Sequence, residues 1–365
     1  MSIFRQIGSR FSFLKRYQNR WVLLIAVSWS AMDLLWVRFF RFSNNLYNEN
    51  SSLFMSDEAV VLRGIIVFLM SGLMGYILIF KLRSIFRDVP LFISLFVKTC
   101  ILLIGSLVMN FLLHFTYFIF VLHRTVSQGL SAFFGRAASI NWLLSHSLGW
   151  VVLFLVSQLA IEFYEKYSPG VFSDILIGTY IRPKVEKRII MFIDLTDSTP
   201  IAEQLDGKMF FSFIRDFIYF VSIAILEYGG RIYQYVGDEI VVSWKDKPAN
   251  KRNCIRALIL SDKLLKSNSR YFRKRYGIVP EFKAGIHTGE VTVGEIGIIK
   301  KDIAMSGDIM NTTARIRSVC NELNQKYILS KDFIGDTEFG WETVGLGLVD
   351  LKGKSESVEL FALKI

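Results

Sequence analysis

The chain has 365 residues, is 52% hydrophobic, and carries 43 Lys and Arg against 32 Asp and Glu, a formal net charge of +11. That length holds two units of ordinary domain size, and the charges crowd after Glu162, which excludes a uniformly water-soluble globule: the first part faces lipid and the second carries its own core. Cys100, Cys254 and Cys320 are odd in number, widely spaced and without a CxxC pair, which excludes a disulfide framework or structural zinc and reads as buried reduced thiols.

In chain order, Arg5, Arg10, Lys15, Arg16 and Arg20 come first, with no acidic residue among them. This positive-inside pattern puts the N-terminus in the cytoplasm. It also explains much of the basic excess. No stripe of basic and aromatic residues suggests nucleic acid as a partner. Apolar runs follow at 21–40, 60–80, 91–121 and 141–163, each reaching the roughly 20 residues that cross a bilayer as a helix. The third is long enough to tilt. No small-residue cleavage site follows the first run, so it is not a signal peptide. Four spans return the chain to the cytoplasm. The loop with Lys81, Arg83 and Arg87 then lies inside and the loop with Glu49, Asp57 and Glu58 outside, while Arg124 and Arg136 in the next outer segment run against the rule. Residues 1–163 thus read as a transmembrane anchor or sensor of four helices, in contact with membrane lipid in the plasma or inner membrane. Asp33, Arg63, Lys98 and His114 sit in or near these runs, as functional groups or as pairs inside the bundle. His114, His123 and His146 raise the idea of haem, but His114 and His123, nine residues apart, fall on opposite helix faces.

Residues 164–187 form a coupling linker. Pro169-Gly170 breaks the helix leaving the membrane, and Val171, Phe172, Ile175 and Leu176 make one apolar face of a short helix, fit to pair with a twin or to pack on the next domain. The domain at 188–365 opens with a buried strand at 188–194 ending in Asp194, then a hydroxyl-rich turn at 195–199. A helix at 201–228 would aim its N–H groups at the strand end, a cradle for phosphate. Strands at 231–236 and 240–244 flank Gly237-Asp238-Glu239 as a hairpin. A basic amphipathic helix at 254–276, strands at 282–287 and 291–296, a helix from 308, and strands at 344–348 and 358–363 complete the domain. The order suggests a ferredoxin-like α+β sheet.

In such a sheet neighbouring strands bring Asp194 and Asp238 together. Mg²⁺ prefers one or two carboxylates plus substrate phosphates, and two ions can clamp the attacking and leaving oxygens of an in-line displacement. A lone Asp at either place would be a turn residue or cap. The pair beside a phosphate cradle points to phosphoryl chemistry.

Met-Phe-Ile-Asp-Leu-Thr-Asp-Ser-Thr at 191–199 resembles the first metal motif of the class III adenylyl/guanylyl cyclases, and Tyr-Val-Gly-Asp-Glu at 235–239 the second. Phe-Lys-Ala-Gly-Ile-His-Thr-Gly-Glu at 282–290 is similar to the family's central hairpin, Gly-Asp-Ile-Met-Asn-Thr-Thr-Ala-Arg at 307–315 to its Asn/Arg motif, and Leu-Lys-Gly-Lys at 351–354 to its closing motif. The resemblance covers 180–365 and implies that Asp194 and Asp238, helped by the backbone carbonyl of Ile193 or Leu195, hold two Mg²⁺ or Mn²⁺ ions per site. One ion would lower the pKa of the ribose 3′-hydroxyl that attacks the α-phosphorus, and the other would neutralise the leaving pyrophosphate. Asn311 would position the ribose and Arg315 stabilise charge on the α-phosphate. Leu195, Thr196, Asp197, Ser198, Thr199, Gly237 and Lys354 would line the nucleotide. In this family the aspartates and the Asn/Arg pair come from different subunits, which implies a homodimer with sites at the interface. The substrate implied is ATP, with GTP as the variant.

At the two base-reading positions the chain departs from the family. Gln234 stands where adenylyl cyclases carry Lys and guanylyl cyclases Glu, and Ala304 where they carry Asp or Thr, and Cys. Other readings are a guanylate cyclase, a diguanylate cyclase, which the missing second Gly and Phe of its hairpin oppose, and a catalytically silent cyclase-like membrane receptor, which the retained aspartates and Arg315 oppose.

Overall fold

The computed structural model describes residues 12–47, 57–82, 85–86, 89–137, 140–165, 171–298, 301–335, 340–354 and 356–365. The chain divides into two units, Met1–Lys166 and Tyr167–Ile365.

The first unit is helical: α1 (Ser12–Tyr47), α2 (Asp57–Tyr76, continued as a π-helix over Ile77–Leu82), α3 (Leu91–Thr116, continued likewise over Tyr117–Val121), α4 (Val126–Ala137) and α5 (Ile140–Glu165). Lys15–Phe39, Asp57–Leu82 and Leu91–Val121 are long and apolar enough to cross a membrane. The fourth expected span lies within α5, whose apolar stretch among the described residues is Leu148–Glu162. Apolar side chains cover the outside, Leu24, Leu69, Phe92 and Ile104 among them, while Trp29, Val67, Leu102, Met109 and Phe154 fill the inside. The Trp29 indole donates to Ser157 Oγ (2.9 Å) and so ties α1 to α5. Two ion pairs form among the charges of this unit. Arg63 Nε and Nη2 each lie 2.7 Å from an oxygen of Asp33, and Lys98 Nζ lies 3.0 Å from Glu162 Oε1. His114 Nδ1 lies 2.9 Å from the Asn110 carbonyl of its own helix, and the side chain of His146 lies outside the described residues. Helix α4 was not expected. It occupies the segment carrying Arg124 and Arg136, and Phe133 packs edge-on against Phe111.

The second unit begins with α6 (Val171–Ile177), where the linker helix was expected; Pro169 and Gly170 lie outside the described residues. Then follow β1 (Lys184–Leu195), α7 (Ser198–Gln204), α8 (Gly207–Glu227), β2 (Arg231–Val236), β3 (Glu239–Lys245), α9 (Pro248–Ser267), α10 (Ser269–Tyr276), β4 (Phe282–Ile296), β5 (Asp302–Ser306), α11 (Asp308–Ser318), β6 (Tyr327–Ser330), α12 (Lys331–Ile334), β7 (Thr343–Val349) and β8 (Val358–Leu363). One eight-stranded sheet runs β2-β3-β1-β4-β6-β8-β7, with β5 on β4. Its β4-β1-β3-β2 portion is antiparallel throughout, the ferredoxin-like order read from the sequence.

Several sequence expectations change. The helix at 201–228 is two helices, because Asp206 caps a new start by accepting from the Met209 N–H (2.8 Å). The strands at 282–287 and 291–296 are one continuous β4, so 282–290 is not itself a hairpin. Its glycines serve close packing instead: a Cβ at Gly285 would lie 2.5 Å from the backbone nitrogen of Arg317 on α11. Cys254 and Cys320 are buried free thiols as expected, but Cys100 is exposed on α3.

By length and composition α8 would also pass for a membrane span. It is a core helix. Phe213 packs edge-on and Phe220 tilted against Phe272 of α10, and Phe217 packs tilted against Phe282 of β4. The single helix expected at 254–276 is likewise two, α9 and α10, which meet at Asn268. The pair buries Cys254, Ile255, Leu258, Leu265 and Phe272 and exposes Arg252, Arg256, Lys263, Arg270, Arg273 and Lys274, so the basic amphipathic pattern itself is as expected.

Candidate active site

The β1–β3 register sets Asp194 opposite Glu239, and Asp238 precedes Glu239 in the tight turn after Gly237 (φ 62°). An L residue with a side chain resists that φ, so glycine is what lets β2 fold back and bring Asp238 to the end of β1. Burial raises the Asp194 carboxyl to about 6, further raised by the nearby charges of Asp238 and Glu239 and opposed by Arg317 and Lys283. Asp238 Oδ2 is buried and makes no hydrogen bond. Two neighbouring carboxylates, one held up in pKa and one with an unpartnered oxygen, are ligands of the kind a hard cation takes. No group of three or more His, Cys, Asp or Glu side chains forms a cage among the described residues. The pair therefore fits Mg²⁺ or Mn²⁺, which take one or two carboxylates and complete their shell with phosphate and water, and not an all-protein metal site. The backbone of Ile193 and Leu195 flanks Asp194, and both side chains are buried.

The turn after β1 is tight. Thr196 N–H donates to the Glu281 carbonyl (2.8 Å), Asp197 adopts a left-handed conformation (φ 55°), and α7 begins at Ser198. Asp197 and Thr199 are exposed, while Thr196 and Ser198 are half-buried. Gln234 is exposed beside a β-bulge between Ile232 and Gln234, and Ala304 is half-buried on β5 opposite Gly294. The Tyr233 hydroxyl accepts from the Met305 N–H (3.0 Å), so the strands bearing Gln234 and Ala304 are tied next to each other. Sequence reasoning passed over Tyr233; its place one residue before Gln234 was the available signal.

Helix α11 carries Asn311 and Arg315 one turn apart on one face. Arg315 sits against the closing loop, where a Cβ on Gly353 would lie 3.2 Å from its Nη2. In the same loop Lys354 Nζ donates to Asp308 Oδ2 (2.6 Å), and this bond holds the Asp308 carboxyl below its ordinary pKa. Arg317, two residues beyond Arg315, points the other way: its Nη1 lies 3.0 Å from Asp194 Oδ2 and its Nη2 2.9 Å from Glu239 Oε2. The two arginines are about 200° apart around the helix. The structure thus brings Asp194 and Asp238 together, and separately brings Arg315 and Lys354 together, on different sides of α11. Neither Arg317 nor Glu239 was singled out from the sequence.

A sequence model of the adenylate and guanylate cyclase catalytic domain matches residues 182–364, half of the chain. Adenylate cyclase 2 of Rhizobium meliloti (strain 1021) is 34% identical over 171 residues, 47% of each chain. The adenylate cyclase of Anabaena cylindrica is 24% identical over 243 residues, 62% of this chain and 47% of that one. The chain therefore spans about half the length of these curated relatives. The solved structure of a bacterial light-regulated adenylyl cyclase superposes with a TM-score of 0.52 at 19% identity, over 59% of this chain and 64% of that one, a likeness of fold.

Proposed function

The chain belongs to the adenylate and guanylate cyclase catalytic-domain family, and from that premise we propose that it is a membrane-anchored adenylate cyclase that converts ATP to 3′,5′-cyclic AMP and pyrophosphate. The observation that carries this reading is the meeting of Asp194 with Asp238, the first raised in pKa and the second left with an unpartnered buried oxygen. Acid pairs with perturbed pKa values and unpartnered oxygens cluster at functional sites.

Asp194 and Asp238, with the carbonyl of Ile193 or Leu195, would hold Mg²⁺ or Mn²⁺, which supplies acidity to the ribose 3′-hydroxyl and charge neutralisation to the triphosphate. The chain's own groups do the rest. Asn311 orients the ribose, and Arg315 stabilises the charge that gathers on the α-phosphate as the 3′-oxygen attacks and pyrophosphate leaves. Residues 195–199 and Gly237 border the triphosphate. Lys354 joins them when a phosphate replaces Asp308 as its partner. Gln234, which can donate and accept, faces the purine with Ala304. The opposed directions of Arg315 and Arg317 on α11 support a homodimer, in which one copy's aspartates meet the other's Asn311 and Arg315. The basic N-terminus supports a cytoplasmic start and, after four spans, a cytoplasmic catalytic domain at a cell membrane.

The test is purified full chain with Mn²⁺ and labelled ATP or GTP side by side. Cyclic AMP is expected as the main product. Cyclic GMP in its place would move the reading to guanylate cyclase, and no cyclic product from either would end it.

A further inference from the structure

Three carboxylates, Asp194, Asp238 and Glu239, crowd the end of β1, and one cation touches two of them. Arg317 Nη1 lies 3.0 Å from Asp194 Oδ2, while Nε and Nη2 lie 3.2 and 2.9 Å from Glu239 Oε2. Its position is fixed by the backbone, since α11 rests so closely on β4 that Gly285 has no room for a Cβ beside Arg317. The other cation nearby, Lys283 opposite Asp194 on β4, donates instead to the Asn321 side-chain oxygen.

A guanidinium on an Asp194 oxygen and a divalent ion on the same carboxylate repel each other and compete for the same lone pairs. Arg317 keeps two of its three contacts on Glu239, so leaving Asp194 costs it one contact and not its anchorage. We propose that Arg317 is the internal counter-cation of the metal site: it covers Asp194 while the ion is absent, yields that carboxylate when the ion enters, and stays on Glu239. It thereby sets how readily this site loads, whatever the nucleotide. This deepens the adenylate cyclase reading and rests on its assignment of the ion to Asp194.

The readout is Mn²⁺ binding without nucleotide, followed by the electron paramagnetic resonance of free Mn²⁺ titrated with the full chain in detergent. Removing one charged competitor from a carboxylate is worth about a factor of ten. Arg317→Gln is therefore expected to bind Mn²⁺ about tenfold more tightly. Arg317→Lys, which keeps the charge but loses the fork, should fall between that variant and the parent, and it carries the test if Arg317→Gln does not fold by circular dichroism. Affinity that is unchanged or weaker in the folded variant overturns the counter-cation role. Asp194→Asn separates this from the underlying assignment: Mn²⁺ held by that variant as tightly as by the parent would remove the metal site itself.

Discussion

The helical unit pairs its buried Asp33, while the sheet unit leaves one carboxylate oxygen, on Asp238, without a partner. In the helical unit Asp33, its side chain 3% exposed, is gripped by both prongs of Arg63 at 2.7 Å, and Lys98 is matched with Glu162. In the sheet unit the structural acid Asp216 is equally well served, accepting from Tyr271 and Tyr276 at 2.6 Å each. Among the described residues the end of β1 breaks the pattern: two of its three carboxylates, Asp194 and Glu239, share Arg317, and Asp238 keeps an unpartnered oxygen. On the proposed reading that spot is reserved for a ligand: charge is paired at Asp33 and Asp216, and one oxygen of Asp238 is not.

The largest effect tests that contrast directly. Asp194→Asn or Asp238→Asn should lower cyclic nucleotide formation at least about a hundredfold while the circular dichroism spectrum is kept. Activity within a few-fold of the parent would mean that the unsatisfied acids are incidental.

Next comes the satisfied side. Arg63→Leu takes the paired cation from buried Asp33 among apolar helices and should cost about 3–5 kcal/mol, read as a large drop in the detergent melting midpoint. The double replacement Asp33→Leu with Arg63→Leu should recover most of it, because two apolar side chains leave nothing unpaired. If the single and double variants melt alike, the pair is no structural clasp.

Much of this was legible in the sequence, and the exceptions have physical causes. Asp194 and Asp238 could be joined on paper because a strand end and a hairpin tip with Gly237 leave few geometries. Asn311 and Arg315 came from the resemblance of 307–315 to the family's Asn/Arg motif, and their spacing of four then sets them on one helix face. Arg317 could not, since a charge two residues from Arg315 looks like any solvated helix position until Gly285 is seen to admit α11 against β4. The strands read at 282–287 and 291–296 are one strand through Gly289, above which Ile309 packs 3.4 Å from where a Cβ would be. The short β6 escaped notice because four residues carry too little periodicity. Apolarity by itself would have misled in α8, whose Phe213, Phe217 and Phe220 face other side chains and not lipid.

The reserved spot should also cost stability, with a sign that can be checked. The Asp194 carboxyl stands at about 6 in the fold against an ordinary 3.8. The folded chain therefore holds that proton more tightly than the unfolded one. Its contribution is fully present below pH 3.8 and lost as pH rises through 6. In chelator, Asp194→Asn should then melt above the parent at pH 8, by a margin of about 2–3 kcal/mol, and match it near pH 4. The same titration predicts that Mn²⁺ binding weakens as pH falls below 6, since the protonated acid offers the ion no charge. A variant less stable than the parent at pH 8 would place Asp194 among the structural acids.

The smallest effect separates two kinds of pairing within the helical unit. Lys98 meets Glu162 through a single contact at 3.0 Å, and the Glu162 side chain is 30% exposed, where Asp33 is sealed and held by a fork. An ammonium on a flexible stem can also reach for a polar boundary when its partner goes, which a guanidinium locked on a buried acid cannot do as cheaply. Lys98→Gln should therefore lower the melting midpoint by the equivalent of about 1 kcal/mol, well short of Arg63→Leu. Exchanging the two charges, Lys98→Glu with Glu162→Lys, should restore it, because one contact has no direction to preserve. If Lys98→Gln proves as damaging as Arg63→Leu, then contact number and burial do not rank these clasps, and charge anywhere in the bundle carries the same weight.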